Sequence, residues 1–341
     1  MTTPRYNPTL HRVALLTTAA TFPLIFMGGL VTSHGAGMSV PDWPNSYGYN
    51  MFLFPPRLWV GGILYEHTHR LAGTVVGMLS IALTALAWKT ESRRWVRWLC
   101  TGVLGGLRVV LVELDLAVVH ACFAQAFFCL AALSALATSR WWLAAGDRSM
   151  DLGGKKLFRL AAVAVFSIYV QLIIGALMRH YGAGLAIPDL PLAFGKLVPP
   201  VSGEGVRLAN EWRVWHAGLP AGTTLGQVWL HFAHRVGAIV VAVHVAAAAV
   251  YALRTHRAAG LATPAVLMLA LLATQVTLGV FTVLKRKPAD VASAHVAVGA
   301  LLLVTTFVLA VRAARLYRVT PRAAGKPRPA FDVPSAGLAA A

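Results

Sequence analysis

Residues 35–48 read Gly-Ala-Gly-Met-Ser-Val-Pro-Asp-Trp-Pro-Asn-Ser-Tyr-Gly, and residues 182–195 read Gly-Ala-Gly-Leu-Ala-Ile-Pro-Asp-Leu-Pro-Leu-Ala-Phe-Gly. Gly35, Gly37, Pro41, Asp42, Pro44 and Gly48 recur as Gly182, Gly184, Pro188, Asp189, Pro191 and Gly195, all at one offset. Each copy follows an apolar segment and precedes a His-Arg pair, His69-Arg70 and then His234-Arg235. A later histidine closes each half, His120 and then His295. The chain therefore reads as a tandem duplication, and whatever the first half builds the second builds again.

What it builds is set by composition. The chain is 57% hydrophobic and only 12% charged, against about 25% charged in soluble domains. A membrane-spanning helix needs about 20 mostly apolar residues. Eight segments qualify: 11–33, 66–88, 95–112, 117–138, 157–178, 228–252, 262–284 and 291–314. The first follows Arg5 and Arg12, as a signal peptide would, but it lacks a small-residue cleavage site and its counterpart is internal, so it reads as a retained helix. The fold class expected is an all-α integral membrane protein of eight helices, arranged as two tandem four-helix bundles. An even number of helices per half keeps both copies in the same orientation.

The net charge of +18 does not point to nucleic acid, because its placement follows the membrane. Arg and Lys cluster at the N-terminus, after 66–88 (Lys89, Arg93, Arg94, Arg97), after 117–138 (Arg140, Arg148, Lys155, Lys156, Arg159), after 228–252 and in the tail. These alternate connections share one side, which the positive-inside rule makes cytoplasmic, with both termini there. The expected setting is a bacterial-type plasma membrane. Lys285, Arg286 and Lys287 run against the rule locally. Cys100, Cys122 and Cys129 all fall in apolar segments, so no external disulfide or cysteine metal site is expected.

The expected division is an N-terminal half over 1–138, a cytoplasmic linker over 139–156, a C-terminal half over 157–316 and a disordered tail over 317–341. The loops 34–65 and 179–227 are long and rich in Gly, Pro and Trp. Proline fixes φ and glycine permits unusual φ, so such loops can hold one shape. Both are expected to fold back as lids on the outer face.

Four of the twelve histidines sit in register with the duplication, His69 with His234 and His120 with His295. An ionisable residue within a spanning helix is costly and is a functional hypothesis by default. In each half the two histidines stand near the external ends of parallel helices. Two opposed imidazoles across a four-helix bundle suit axial ligation of haem iron; zinc usually takes further Cys, His or carboxylate ligands. Arg70 and Arg235 could pair with haem propionates, or could snorkel to the interface. Glu66 breaks the symmetry, since His231 stands at its place in the second half. It lies three residues before His69, on nearly the same helix face, where a carboxylate can act as general base or hold a cationic intermediate. It could instead be an interfacial partner of Arg57 or Arg70. His34, His67 and His244 read as hydrogen-bonded or interfacial residues, and Arg108, Glu113 and Asp115 are charges with no assigned part.

Glu66-His-Thr-His69-Arg70, with the preceding Gly-Gly-Leu-Val-Thr and Ser-Val-Pro-Asp-Trp-Pro, resembles the haem A synthase family over about residues 11–314. The resemblance implies oxidation of the C8 methyl of haem O to a formyl group, giving haem A for terminal oxidases. It implies a haem b cofactor on His234 and His295, the substrate haem on His69 and His120, and an essential acid at Glu66. Haem O synthase, the cytochrome oxidase assembly apparatus and an electron donor are the implied partners. Some family members carry a cysteine pair in the first external loop; this chain has none. Two other classes remain at this point. A di-haem b-type cytochrome in quinol electron transfer would explain the four histidines but not the Glu66/His231 difference. A haem-delivery module without chemistry would be indifferent to Glu66.

Overall fold

The structure, a computed structural model, describes residues 5–110, 117–145, 152–257 and 260–317. Among these residues the protein is all helix apart from a two-residue hairpin, β1 (Asn45–Ser46) with β2 (Tyr49–Asn50). The long helices are α1 (Pro8–Ser33), α2 (Gly62–Thr90), α3 (Arg94–Val110), α4 (Ala117–Thr138), α6 (Leu152–His180), α8 (Leu225–Thr255), α9 (Ala262–Leu284) and α10 (Ala289–Leu316). Seven of them, all but α3, are long and apolar enough to cross a membrane. The multi-pass membrane class therefore stands, with seven such helices in place of the eight expected. The segment expected at 95–112 is helical over 17 residues, and residues 111–116 lie outside the described ones. So do Glu113, Asp115, the side chain of Arg108 and the tail from 318.

The long helices pack in two circuits. α1 packs on α2, α2 on α3, α3 on α4, and α4 returns to α1; α6, α8, α9 and α10 close the same way. α4 and α10 join the circuits, through α4 on α6 and α10 on α1 and α4. In lipid no hydrophobic force drives helices together, so close approach relies on small residues. The largest buried cluster accordingly holds Ala161, Ala164, Ala248, Ala249, Ala252, Ala265, Ala310 and Ala313. Near the C-terminal end of α1, Gly29 admits α10 so closely that a Cβ there would stand 3.0 Å from that of Ser293. Buried hydroxyls are returned to their own helix: Thr17 donates to Val13 O, Ser80 to Val76 O and Thr306 to Leu302 O.

Two helices were not anticipated. α5 (Arg140–Ala144) lies in the expected linker, which also holds the first turn of α6. α7 (Gly203–Ala217) lies in the second long loop, started by the Ser202 side chain accepting from Gly205 N and stopped at Gly218 in the left-handed region. It folds onto that loop through the buried Arg213, which donates to Leu185 O, Ala186 O and Pro220 O.

Candidate functional site

The recurring loop motif does the same job at both places. Asp42 accepts from Tyr47 N (2.7 Å) and Gly48 N (2.8 Å); Asp189 accepts from Phe194 N (2.8 Å) and Gly195 N (2.9 Å). Tyr47 and Gly48 both have positive φ, as do Phe194 and Gly195. The carboxylate thus closes a turn whose backbone glycine suits and other residues resist. The N–H of Gly48, above all, holds the Asp42 carboxyl below its ordinary range. Each turn is then pinned to a helix by the arginine of the His-Arg pair. Arg70 donates to Val40 O (2.5 Å), Asp42 O (2.6 Å) and Asn45 O (3.3 Å). Arg235 donates to Ile187 O (2.7 Å) and Leu192 O (2.9 Å), the positions matching Val40 and Asn45. Neither arginine snorkels away. Arg235 Nε is buried with no partner.

Glu66 and His231 meet the same loop position from the same helix position. Glu66 is 7% exposed; one oxygen accepts from Val40 N (2.8 Å) and the other pairs with Arg70 (2.7 Å). His231 is 2% exposed, and its Nδ1 lies 3.2 Å from Ile187 N, whose N–H it accepts. Of the partners considered for Glu66, the structure gives Arg70. His67 is a core residue of the first loop, packed against Phe54 and Trp59 and 3.2 Å from Ser46 Oγ. Its counterpart is Phe232, packed on the apolar cluster that includes Ala193, the residue matching Ser46, so apolar residues in one half stand where the other has a polar pair. His34 stacks on Tyr65.

The four registered histidines gather at the loop ends of their helices, roughly 5–14 Å inside the helix starts at 1.5 Å per residue. The ring centres of His234 and His295 stand 6.4 Å apart in an edge arrangement, their planes at 65°. Two imidazoles on one metal, at about 2 Å per metal–nitrogen bond, would stand roughly 6 Å apart, so this pair fits a shared ion. His69 and His120 are close enough for their charges to interact. Among the described residues no three or more of His, Cys, Asp and Glu gather as a metal cluster. A group bringing its own equatorial ligands is what two-histidine sites of this kind suit, and haem does so.

Glycines make room for the rings. A Cβ at Gly175 would stand 3.3 Å from His234 Cε1, at Gly279 3.0 Å from His295 Cε1, and at Gly28 3.1 Å from His69 Cε1. Gly28 and Gly175 are themselves a repeat pair. Sequence reading missed them, although the pairing was visible at the same offset as the loops. It also missed two glutamines and an arginine. Gln171 Nε2 donates to His234 O (2.7 Å) and lies 3.0 Å from its Nδ1. Gln275 O lies 3.1 Å from His295 Nδ1, and its side-chain nitrogen 3.3 Å from Nε2. An Nδ1–H donated to that carbonyl makes Nε2 the acceptor, and the Gln275 side-chain amide donates to it, so a metal at Nε2 would have to displace that amide. Leu24 stands where Gln171 would be in the first half. His69 approaches the Leu24 backbone without a formed hydrogen bond, and its Nδ1 is buried without a partner. Arg179 ties the halves together, donating to Gly29 O (2.7 Å) and Ser33 Oγ (2.9 Å) of α1, within electrostatic reach of His295.

The family model of cytochrome oxidase assembly proteins named COX15-CtaA matches residues 61–307, both histidine pairs included. The chain belongs to this family. It is similar to the heme A synthase of Geobacillus kaustophilus, at 26% identity over 72% of each chain. It is 26% identical to that of Shewanella oneidensis, over 85% of this chain and 92% of the relative. It is 28% identical to that of Methylobacterium radiotolerans, over 95% and 94%. The similarity therefore spans loops and helices alike, and the two sites lie inside it.

Proposed function

We propose that this protein is a haem A synthase, oxidising the C8 methyl of haem O to a formyl group. The observation that carries the reading is a pair of histidine sites on one scaffold, only one of which has a carboxylate beside it. The eight segments are read as eight spans in two tandem four-helix bundles, with α3 as the eighth. The N-terminal half (1–138) takes the substrate haem between His69 and His120. The C-terminal half (157–316) holds haem b between His234 and His295, joined by the linker 139–156 and followed by the tail 317–341. Both termini and the basic ends are cytoplasmic, and the two lids face outward.

When bound, haem b supplies a one-electron carrier beside the substrate site. The rest is the work of side chains. His69 and His120 orient the substrate macrocycle in a pocket walled by helices, where an apolar farnesyl tail is at home. The first lid, fixed by Asp42 and Arg70, excludes water from the outer edge. Glu66, held one turn from His69 by Val40 N–H and Arg70, presents a carboxylate that can take a proton or stabilise a developing positive charge. Arg70 and Arg235 would be the residues to hold the propionates, and Arg235 Nε is buried without a partner in the protein. Haem O arrives from a haem O synthase, and the product passes to oxidase assembly.

The test is haem extraction and chromatography after co-expression with a haem O synthase in a host that makes no haem A. Haem A or a hydroxylated haem O, absent in Glu66→Ala, supports the proposal. Only haem B and untouched haem O, from well-folded and reducible protein, would favour the di-haem electron-transfer cytochrome.

A further inference from the structure

At the basic end of the molecule, away from both lids, a groove of about 390 Å³ runs along the seam of α6 and α10. This is in the size range of ligand clefts, about 300–1,000 Å³. Its walls are two helical faces: Phe158, Ala162 and Val165 at helical spacing on α6, and Phe307, Ala310, Val311 and Ala314 on α10. Ala310 is buried and Phe158 is exposed. The slot therefore opens on the outside of the helix assembly, and it extends roughly 12 Å along α10 at 1.5 Å per residue. Trp142 and Arg315 close its basic end, and apart from Arg315 its lining is apolar.

The closure is charged. The Arg315 guanidinium stacks 5.3 Å from the Trp142 ring centre; one turn before it, beside the groove and not in its lining, Arg312 stacks 4.8 Å from Trp141. Stacking engages the face of the Arg312 guanidinium and leaves its in-plane N–H donors at the edge. Arg312 Nε is buried with no partner, and none of the ion pairs among the described residues includes Arg312. Lys155, exposed three residues before Phe158, stands on the same side of α6. An apolar slot parallel to the helices, ending in cations flanked by interfacial tryptophans, matches one ligand class in shape and sign.

We propose that this groove binds one anionic phospholipid, its phosphate on Arg312, Arg315 and Lys155 and one acyl chain between α6 and α10. Zwitterionic lipid can fill the slot, but its amine meets the same cations, so the site selects by headgroup charge. The inference does not depend on the haem reading.

The experiment is native mass spectrometry of the full chain released from nanodiscs of phosphatidylcholine with graded phosphatidylglycerol. The natural sequence should retain about one phosphatidylglycerol through mild delipidation. Arg312→Gln with Arg315→Gln should lower the preference for phosphatidylglycerol by roughly tenfold or more, from about 1 kcal/mol per basic residue. Ala314→Trp, which keeps both charges and fills the slot, should reduce retention of either lipid. Helical circular dichroism checks that each variant is folded. Equal retention of both lipids by the natural sequence overturns the proposal, as does unchanged retention in Ala314→Trp.

Discussion

The lid of the first half and the lid of the second are built alike, while the histidines beneath them are held differently. Asp42 and Asp189 close the same turn, and Arg70 and Arg235 pin the same two carbonyl positions. Below the lid, Gln171 reaches the His234 backbone and ring, and Gln275 reaches both nitrogens of His295. His69 has Leu24 and a buried Nδ1 without a partner. A ligand fixed by outer hydrogen bonds suits a resident group, and one left looser suits a group that must come and go. Glu66 in place of His231 adds the other difference: the loop N–H is met by a negative charge in one half and a ring nitrogen in the other.

The comparison breaks first at the glycines. Gly175→Val or Gly279→Val should abolish the bound haem, because the added carbons meet an imidazole already 3.0–3.3 Å from a Cβ. Gly28→Val should leave that haem in place and abolish turnover only; absorbance spectra of the purified variants check this. Glu66→Gln should lower haem A formation by about a hundredfold or more, in the range of lost acid–base assistance, with haem content unchanged. His231→Gln should cost far less activity. Equal losses would give the two residues one shared task, that of holding the lid.

Gln171→Leu, which gives the second half the residue of the first, should weaken haem retention by roughly ten- to a hundredfold, measured by transfer to apomyoglobin. The smallest effect concerns Asp42. Its folded carboxyl titrates below its ordinary value, so its hold on the turn is complete above that value and is lost as pH falls through the lowered one. Protease cleavage in 43–50 should rise only below about pH 4, and Asp42→Asn should show the higher cleavage at neutral pH.

Much of this was legible because the loop motif and the His-Arg pair each recur in the sequence. The repeated Pro-Asp-x-Pro loops, the His-Arg pairs and the lone histidines gave the scaffold and the candidate ligands. Helix lengths were legible from hydropathy, since lipid demands about 20 apolar residues. What escaped was carried by contacts between distant segments. Gln171 and Gln275 read as stray polar residues in apolar helices, and only packing shows which histidine each reaches. Arg179 has Thr32 at the corresponding offset, so the recurring motif could not flag it. α7 is amphipathic and interrupts a loop whose Gly and Pro content suggests none. For Arg70 and Arg235 the sequence suggested propionates or the interface; what it did not show is that both donate to carbonyls of the recurring loops.

The central claim is that the C-terminal pair holds haem b permanently and the N-terminal pair receives substrate. The direct measurement is the low-spin haem spectrum and haem-to-protein ratio of four single alanine variants, at His69, His120, His234 and His295, purified from a host lacking haem O. The account predicts loss of the signal in His234→Ala and His295→Ala, and its full retention in His69→Ala and His120→Ala. Equal loss in all four, or loss confined to the N-terminal pair, would contradict it.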